Sequence, residues 1–118
     1  MESLGHSFSE GIYACSEGPH LESQAQIRMM RQFGDVVGMT GYPEVVLAKE
    51  AGLCYASLCV VTNTACGMGD GASLQISDIL ERMKGSNEVI KEILYLAVQK
   101  TTQEGPCSCS GSLSNAGL

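Results

Sequence analysis

The sequence predicts an α/β fold, a mixed and mainly parallel sheet with flanking helices. Short apolar runs of strand type alternate with segments whose apolar residues recur at helical spacing, in the order β-α-β-α-β-α. One run, Leu53 to Thr62, is apolar on both faces, the pattern of a strand in the middle of a helix-covered sheet. Apolar residues make up 44% of the chain and charged residues 17%, a balance that fits a packed globule rather than a disordered chain.

The first element is Gly11 to Cys15, which alternates and carries Ile12 and Tyr13; Gly18-Pro19 breaks it. From Glu22 to Phe33, the residues Ala25, Ile27, Met29, Met30 and Phe33 form a helical stripe, with the Met pair as core filler. Gly34 is placed to end that helix as a C′ glycine. Asp35 to Thr40 is a short strand, and Gly41-Tyr42 a turn. Pro43 fits the first position of a second helix, with Glu44 in the first turn, where a carboxylate favours the helix dipole. That helix runs to about Ala51 and stops at Gly52. Leu53 to Thr62 is then the central strand, and Thr64 to Ser73 a loop. Ile76, Ile79, Leu80 and Met83 form one further helical stripe, and Ile90, Ile93, Leu94, Ala97 and Val98 another. Gly85-Ser86 between them is expected to bend or interrupt the helix. From Gln103 onward the chain reads as tail. Three strands make a thin sheet, whose edges need cover from another part of the protein or another chain.

Charge and cysteine usage narrow the function classes. The net charge is −6 with seven Lys and Arg, so the chain has no footprint for nucleic acid or an anionic membrane. No segment is long and apolar enough to span a bilayer, and Met1 to Glu10 has no apolar core of a signal peptide. The expected location is the cytoplasm. Of six cysteines, Cys15, Cys54, Cys59 and Cys66 lie in or beside apolar segments and are expected to pack in the core. No Cys-x-x-Cys occurs, and His6 and His20 stand far along the chain from Cys109, so no metal site is expected. Cys107-Ser108-Cys109 has the composition of a strained disulfide or a redox pair.

In open α/β sheets, ligands gather beyond the carboxyl ends of the strands. Those ends are Gly18 to Glu22, Gly38 to Gly41 and Thr62 to Ala65. They offer a carboxylate, a hydroxyl beside glycines and an amide, a set suited to a polar heterocycle and an anion. Glu22 can accept from ring N–H groups, and Asn63 can donate and accept at once. Thr40, read as lying at a helix start, offers phosphate its hydroxyl and backbone N–H. Each has a plainer reading: Glu22 as a helix-start acid, Thr40 as a cap, Asn63 as a turn residue. No P-loop, Gly-x-Gly-x-x-Gly, Ser-His-Asp arrangement or metal-ligand cluster appears.

Three stretches carry a resemblance: Glu17 to Ile27 (EGPHLESQAQI), Val36 to Gly52 (VVGMTGYPEVVLAKEAG) and Leu53 to Asn63 (LCYASLCVVTN). They are similar to the trimeric purine nucleoside phosphorylase and methylthioadenosine phosphorylase family, from about Gly11 to the last residues. The Cys107-Ser108-Cys109 tail also resembles the C-terminal Cys-x-Cys of some members. The resemblance implies a phosphorylase-type α/β fold and phosphorolysis of a purine nucleoside to free purine and a pentose 1-phosphate. Phosphate is then a co-substrate, with no cofactor and no metal.

Carried over residue by residue, Thr40 matches the phosphate-contacting hydroxyl and Met39 the residue under the ribose. Glu22 matches a base-binding carboxylate, and Leu21 stands where an aromatic often stacks on the base. Asn63, the catalytic candidate, matches the residue facing purine N7 and the 6-position. Asn63 together with Glu22, and small Ala65 two residues on, resembles the branch that takes 6-oxopurines or methylthioinosine. Two departures stand out. His20 replaces the usual Arg, and Gln32 to Val36 (QFGDV) is one residue short.

The family's N-terminal phosphate loop, Arg-His pair and further strands have no counterpart here, so the chain reads as the C-terminal part of such an enzyme. Its expected organisation is an irregular segment 1–10, a phosphorylase part 11–103 and a flexible Cys-x-Cys tail 104–118. The partners implied are purine nucleoside and phosphate, with a homo-oligomer of trimer type or pairing with a fuller subunit. The alternatives are a non-catalytic, truncated paralogue that binds purine or pairs with a subunit, and a redox protein acting through Cys107 and Cys109.

Overall fold

The computed structural model describes residues 5–69, 75–101 and 107–111. Parts of the expected start 1–10, the loop 64–73 and the tail from 103 lie outside the described residues. The elements run β1 (Tyr13–Cys15), α1 (Gln24–Met30), β2 (Val36–Gly38), α2 (Glu44–Glu50), α3 (Ile76–Lys100) and a short 3-10 turn (Cys109–Gly111).

β1 and β2 pair in parallel, with Tyr13 opposite Val36, Ala14 opposite Val37 and Cys15 opposite Gly38. A parallel pair needs a crossover, and α1 supplies it. The ladder is extended at both ends by Ser16 N–H donating to Gly38 O at 2.8 Å and Asp35 N–H donating to Ile12 O at 2.8 Å. The Asp35 carboxylate accepts from Ile12 N–H at 2.8 Å, satisfying a donor at the start of β1.

α1 begins where a capping box closes it. Ser23 Oγ accepts from Gln26 N–H at 3.3 Å, and Gln26 Oε1 accepts from Ser23 N–H at 2.8 Å. Ile27 is its buried residue, 4% exposed. The helix is shorter than the Glu22 to Phe33 stripe, ending in a turn over residues 31–33. Gly34 corrects the expectation of a left-handed cap, since its φ is not positive. It is required for packing instead: a Cβ there would lie 2.8 Å from Ala14 Cβ on β1.

α2 starts at Glu44, with Pro43 as its cap residue rather than its first helical one. It ends in a Schellman motif, with Gly52 N–H donating to Lys49 O at 3.1 Å and Leu53 N–H to Ala48 O at 2.8 Å. Gly52 takes φ +67°, the left-handed conformation that glycine adopts without a Cβ penalty.

Two expectations fail downstream. Leu53 to Thr62 forms no strand, and among the described residues the sheet has two strands instead of three. Strand composition needs a partner ladder to become a strand. The segment runs beside β1 and β2 without hydrogen-bonding to them, and Leu53 (61% exposed) and Val61 (64%) stay in solvent. Nor does Gly85-Ser86 interrupt α3, which is continuous over 25 residues. Ser86 Oγ donates to Arg82 O at 3.0 Å, so the hydroxyl folds back on its own helix and leaves the backbone ladder intact.

The cysteines expected in the core are exposed: Cys15, Cys54, Cys59 and Cys66 all face solvent. The apolar stripe of α3 is largely uncovered as well. The radius of gyration, 17.0 Å, exceeds the roughly 13.5 Å of a compact domain of this length.

Candidate functional site

Because β1 and β2 are parallel, their carboxyl ends open on the same side. Tyr13 organises that side. Its hydroxyl accepts from Thr40 N–H at 3.3 Å and shares a hydrogen bond with Thr40 Oγ1 at 3.4 Å. Two glycines make room for its ring: a Cβ on Gly38 would collide with the Tyr13 hydroxyl, and one on Gly41 would meet Cε1 at 3.0 Å. Thr40 is thus fixed by β1, and α2 begins four residues later. Its N–H points to Tyr13, so the reading of Thr40 as a helix-start amide gives way to a hydroxyl held in place by a phenol.

Beyond β1, Ser16 Oγ donates a short hydrogen bond to Glu22 Oε1. Ser16 is one of the few buried residues, and this bond satisfies its hydroxyl. Glu22 is thereby held against the end of the strand. Gly18, at φ +63°, lies so close to Met39 that a Cβ would sit 2.9 Å from its Sδ. Met39 therefore covers the turn after β1. Leu21 is 70% exposed.

A cleft of about 410 Å³ lies between β1–β2, the end of α1 and residues 58–65. It brings together three of the six candidates, Thr40, Asn63 and Ala65. Glu22, Leu21 and Met39 stand outside its lining. Asn63 is braced by its neighbours: Oδ1 accepts from Thr62 Oγ1 at 2.7 Å, and Nδ2 donates to Thr64 O at 3.0 Å. An amide has two lone pairs and two N–H donors, so one of each is left for a ligand after these bonds.

Two lining residues were not singled out in the sequence, Tyr13 and Arg31. Tyr13 was legible only as part of a strand; its role depends on glycines 25 and 28 residues later. Among the described residues, Arg31 is the one cation lining the cleft. It caps α1, its backbone N–H donating to Ile27 O at 2.9 Å, and its guanidinium reaches Met68 Sδ at 3.6 Å. A basic residue at a helix C-terminus reads as dipole pairing, which hid its place on the cleft wall.

A second constellation lies apart from this cleft. The Sγ atoms of Cys54, Cys107 and Cys109 lie within 4.8 Å of one another, with Cys54 and Cys107 2.9 Å apart. The Cys54 thiol is pushed up to about 11, first by its hydrogen bond with Cys107 and then by Cys109. Cys107 is held down to about 7, first by the hydrogen bond it receives from Cys54 and then by the backbone N–H of Cys109. Cys107 and Cys109 therefore meet Cys54 rather than forming a closed pair of their own.

Comparison with known proteins places the chain in a family. A phosphorylase superfamily model matches residues 1–99. The probable S-methyl-5'-thioinosine phosphorylase of Methanosarcina acetivorans is 51% identical over 109 residues, covering 92% of this chain and 42% of the relative. The protein of the same name from Methanocaldococcus jannaschii is 42% identical over 116 residues, 98% of this chain and 46% of the relative. The 6-oxopurine nucleoside phosphorylase of Pyrococcus furiosus is 42% identical over 107 residues, 90% of this chain and 40% of the relative. The chain spans less than half the length of each of these relatives.

Proposed function

The chain belongs to the phosphorylase superfamily, and we propose that it supplies the purine- and sugar-facing part of a purine nucleoside phosphorylase site. The substrate class is a 6-oxopurine nucleoside, including 5'-methylthioinosine. The observation that carries this is the cleft beside the parallel strands, whose lining includes both Thr40 and Asn63.

In the reaction, a phosphate oxygen bonds to the anomeric carbon as the bond from that carbon to purine N9 breaks. The electron pair goes to the purine, and catalysis consists of holding phosphate in line and stabilising the charge on the leaving base. Thr40 donates its hydroxyl to phosphate, and Arg31, which also lines the cleft, adds a positive charge. Asn63 donates toward N7 and O6 with its remaining N–H. Ala65 leaves space beside the base. From outside the cleft lining, the family resemblance has Glu22 accept from a ring N–H, Met39 lie under the ribose and Leu21 rest against the base. Phosphate is a co-substrate and the scheme uses no cofactor. In this reading the chain works in a homo-oligomer or beside a fuller subunit. Exposed Leu53, Val61 and the apolar stripe of α3 support that, because such faces are normally covered. No helix among the described residues is long and apolar enough to cross a membrane.

Reconstitution tests the proposal. The 118-residue chain alone, given phosphate and inosine or 5'-methylthioinosine, is expected to release no purine. Mixed with the part of the Methanosarcina acetivorans relative that it does not align with, it is expected to release hypoxanthine from one of them. In that mixture Asn63→Asp should move the inosine-to-adenosine rate ratio toward adenosine by about tenfold, a change of about 1.4 kcal/mol in barrier difference. An unchanged ratio refutes the role of Asn63. Purine binding without turnover in the mixture favours the non-catalytic module instead.

A further inference from the structure

We propose that Cys54, Cys107 and Cys109 form a three-thiolate site for a thiophilic d¹⁰ cation of the Zn(II) or Cu(I) class, separate from the nucleoside cleft. The site does not depend on the phosphorylase reading, since none of the three residues lines that cleft.

Geometry is the first argument. A Zn–S bond of about 2.3 Å implies sulfur atoms about 3.8 Å apart around a tetrahedral ion. The three Sγ atoms already lie within 4.8 Å of one another, and the Cys54–Cys107 pair stands at 2.9 Å. Edges of 2.9 Å and at most 4.8 Å lie within about 1 Å of that value. The donor set is the second argument. It contains sulfur alone, which selects thiophilic ions over the hard, oxygen-seeking Mg²⁺ and Ca²⁺. Cys54 and Cys107 are exposed and Cys109 is half-buried, so an ion can enter and a fourth position stays open to solvent.

The fold brings these residues together over 53 positions of sequence. Gly52 closes α2 at φ +67° and turns the chain so that Cys54 follows the helix end. The 3-10 turn Cys109–Gly111 rests directly on that glycine: a Cβ on Gly52 would meet both Cα and O of Ser110 at 3.3 Å. Gly111 N–H donates to Ser108 O at 3.1 Å and rounds off the turn that carries Cys107 and Cys109. Glycine at position 52 thus serves two ends, the helix cap and the seat for the Cys-x-Cys turn.

The experiment uses the full 118-residue chain, reduced and kept without oxygen. Zn(II) is titrated in competition with a chromophoric chelator, and Co(II) serves as a separate spectroscopic probe. The expected result is one Zn(II) per chain and a thiolate-to-Co(II) charge-transfer band. Cys54→Ser, Cys107→Ser and Cys109→Ser should each weaken Zn(II) binding at least about tenfold, while Cys59→Ser and Cys66→Ser leave it unchanged. Gly52→Ala should weaken it with all six thiols present. Alkylation mapped by mass spectrometry on the unmutated chain needs no variant to fold: bound Zn(II) should shield Cys54, Cys107 and Cys109 and leave Cys15, Cys59 and Cys66 reactive. Binding below one equivalent, shielding of other cysteines, or full affinity in Cys54→Ser would each overturn the site.

Discussion

Residues 11–52 and residues 53–100 have similar apolar content and opposite fates. The first stretch closes on itself. β1 and β2 pair, α1 crosses between them, Ile27 and Ser16 are buried, and both helices have defined ends. The second, over its described residues, leaves its apolar side chains exposed or half-buried. Leu53 to Thr62 runs unpaired, and α3 buries no residue fully over 25 positions. Tyr55 makes one tie between them, its hydroxyl donating to Glu44 Oε2 at 3.0 Å, and Arg31 makes another, its guanidinium reaching Met68 Sδ at 3.6 Å. Both ties are exposed, and such contacts contribute little to stability. The difference teaches that apolar pattern is not enough. A β-α-β unit carries its partner strand within about 25 residues, whereas a central strand and a long amphipathic helix need faces from elsewhere.

The largest expected effect breaks the first region. Ile27→Ala removes its buried side chain and should cost about 2–5 kcal/mol, toward the low end because so thin a unit can collapse. Amide exchange over Tyr13–Cys15 and Val36–Gly38 should speed up strongly, while exchange over residues 53–62 stays fast as before. If the β1 and β2 amides keep their protection, Ile27 does not hold that region and the contrast dissolves.

Ser23→Ala is a smaller blow to the same region. It deletes the hydroxyl that accepts from Gln26 N–H and should cost about 1 kcal/mol. The loss should appear as faster exchange in the first turn of α1, with α3 helicity unaltered. Equal loosening of both helices would mean that the two regions are coupled after all.

The smallest effect has the opposite sign and lies in the second region. A Cβ on Gly85 would meet nothing within 4 Å, and the residue sits inside a continuous helix. Gly85→Ala should therefore stabilise α3 by about 0.5–1 kcal/mol through backbone entropy alone. Far-ultraviolet circular dichroism during melting should show the gain. No gain, or a loss, would indicate that α3 packs around position 85 against a second surface.

Much of the local structure was legible. The stripe of Ile27 and Met30 located α1, and Gly52 marked the end of α2 because only glycine takes the left-handed conformation without strain. The Ser23 and Gln26 cap was present in the sequence too, as a Ser followed three residues later by Gln, but the broader stripe concealed it. Gly34 was misread because two uses of glycine, a left-handed cap and a close approach to β1, look alike in one dimension. Gly85-Ser86 was misread because a helix tolerates one glycine at about 1 kcal/mol when its ladder stays complete. Of the candidate site, Thr40, Asn63 and Ala65 come together in the cleft, while Glu22, Met39 and Leu21 lie beside it.

What the sequence determined by itself is what neighbouring residues decide: the start of α1, the Schellman end of α2, the propensity of α3, the family to which residues 1–99 belong, and an acidity unsuited to polyanions. These depend on contacts a few positions apart, which pattern and residue type encode directly. Tertiary structure alone decided three things. Leu53 to Thr62 stayed out of the sheet, because a strand exists only when another backbone offers its N–H and C=O groups. Tyr13 rather than a helix terminus came to fix Thr40, because Gly38 and Gly41 leave room for its ring. Cys54 came to face Cys107 and Cys109, because Gly52 gives the Cys-x-Cys turn a seat that no side chain would leave open.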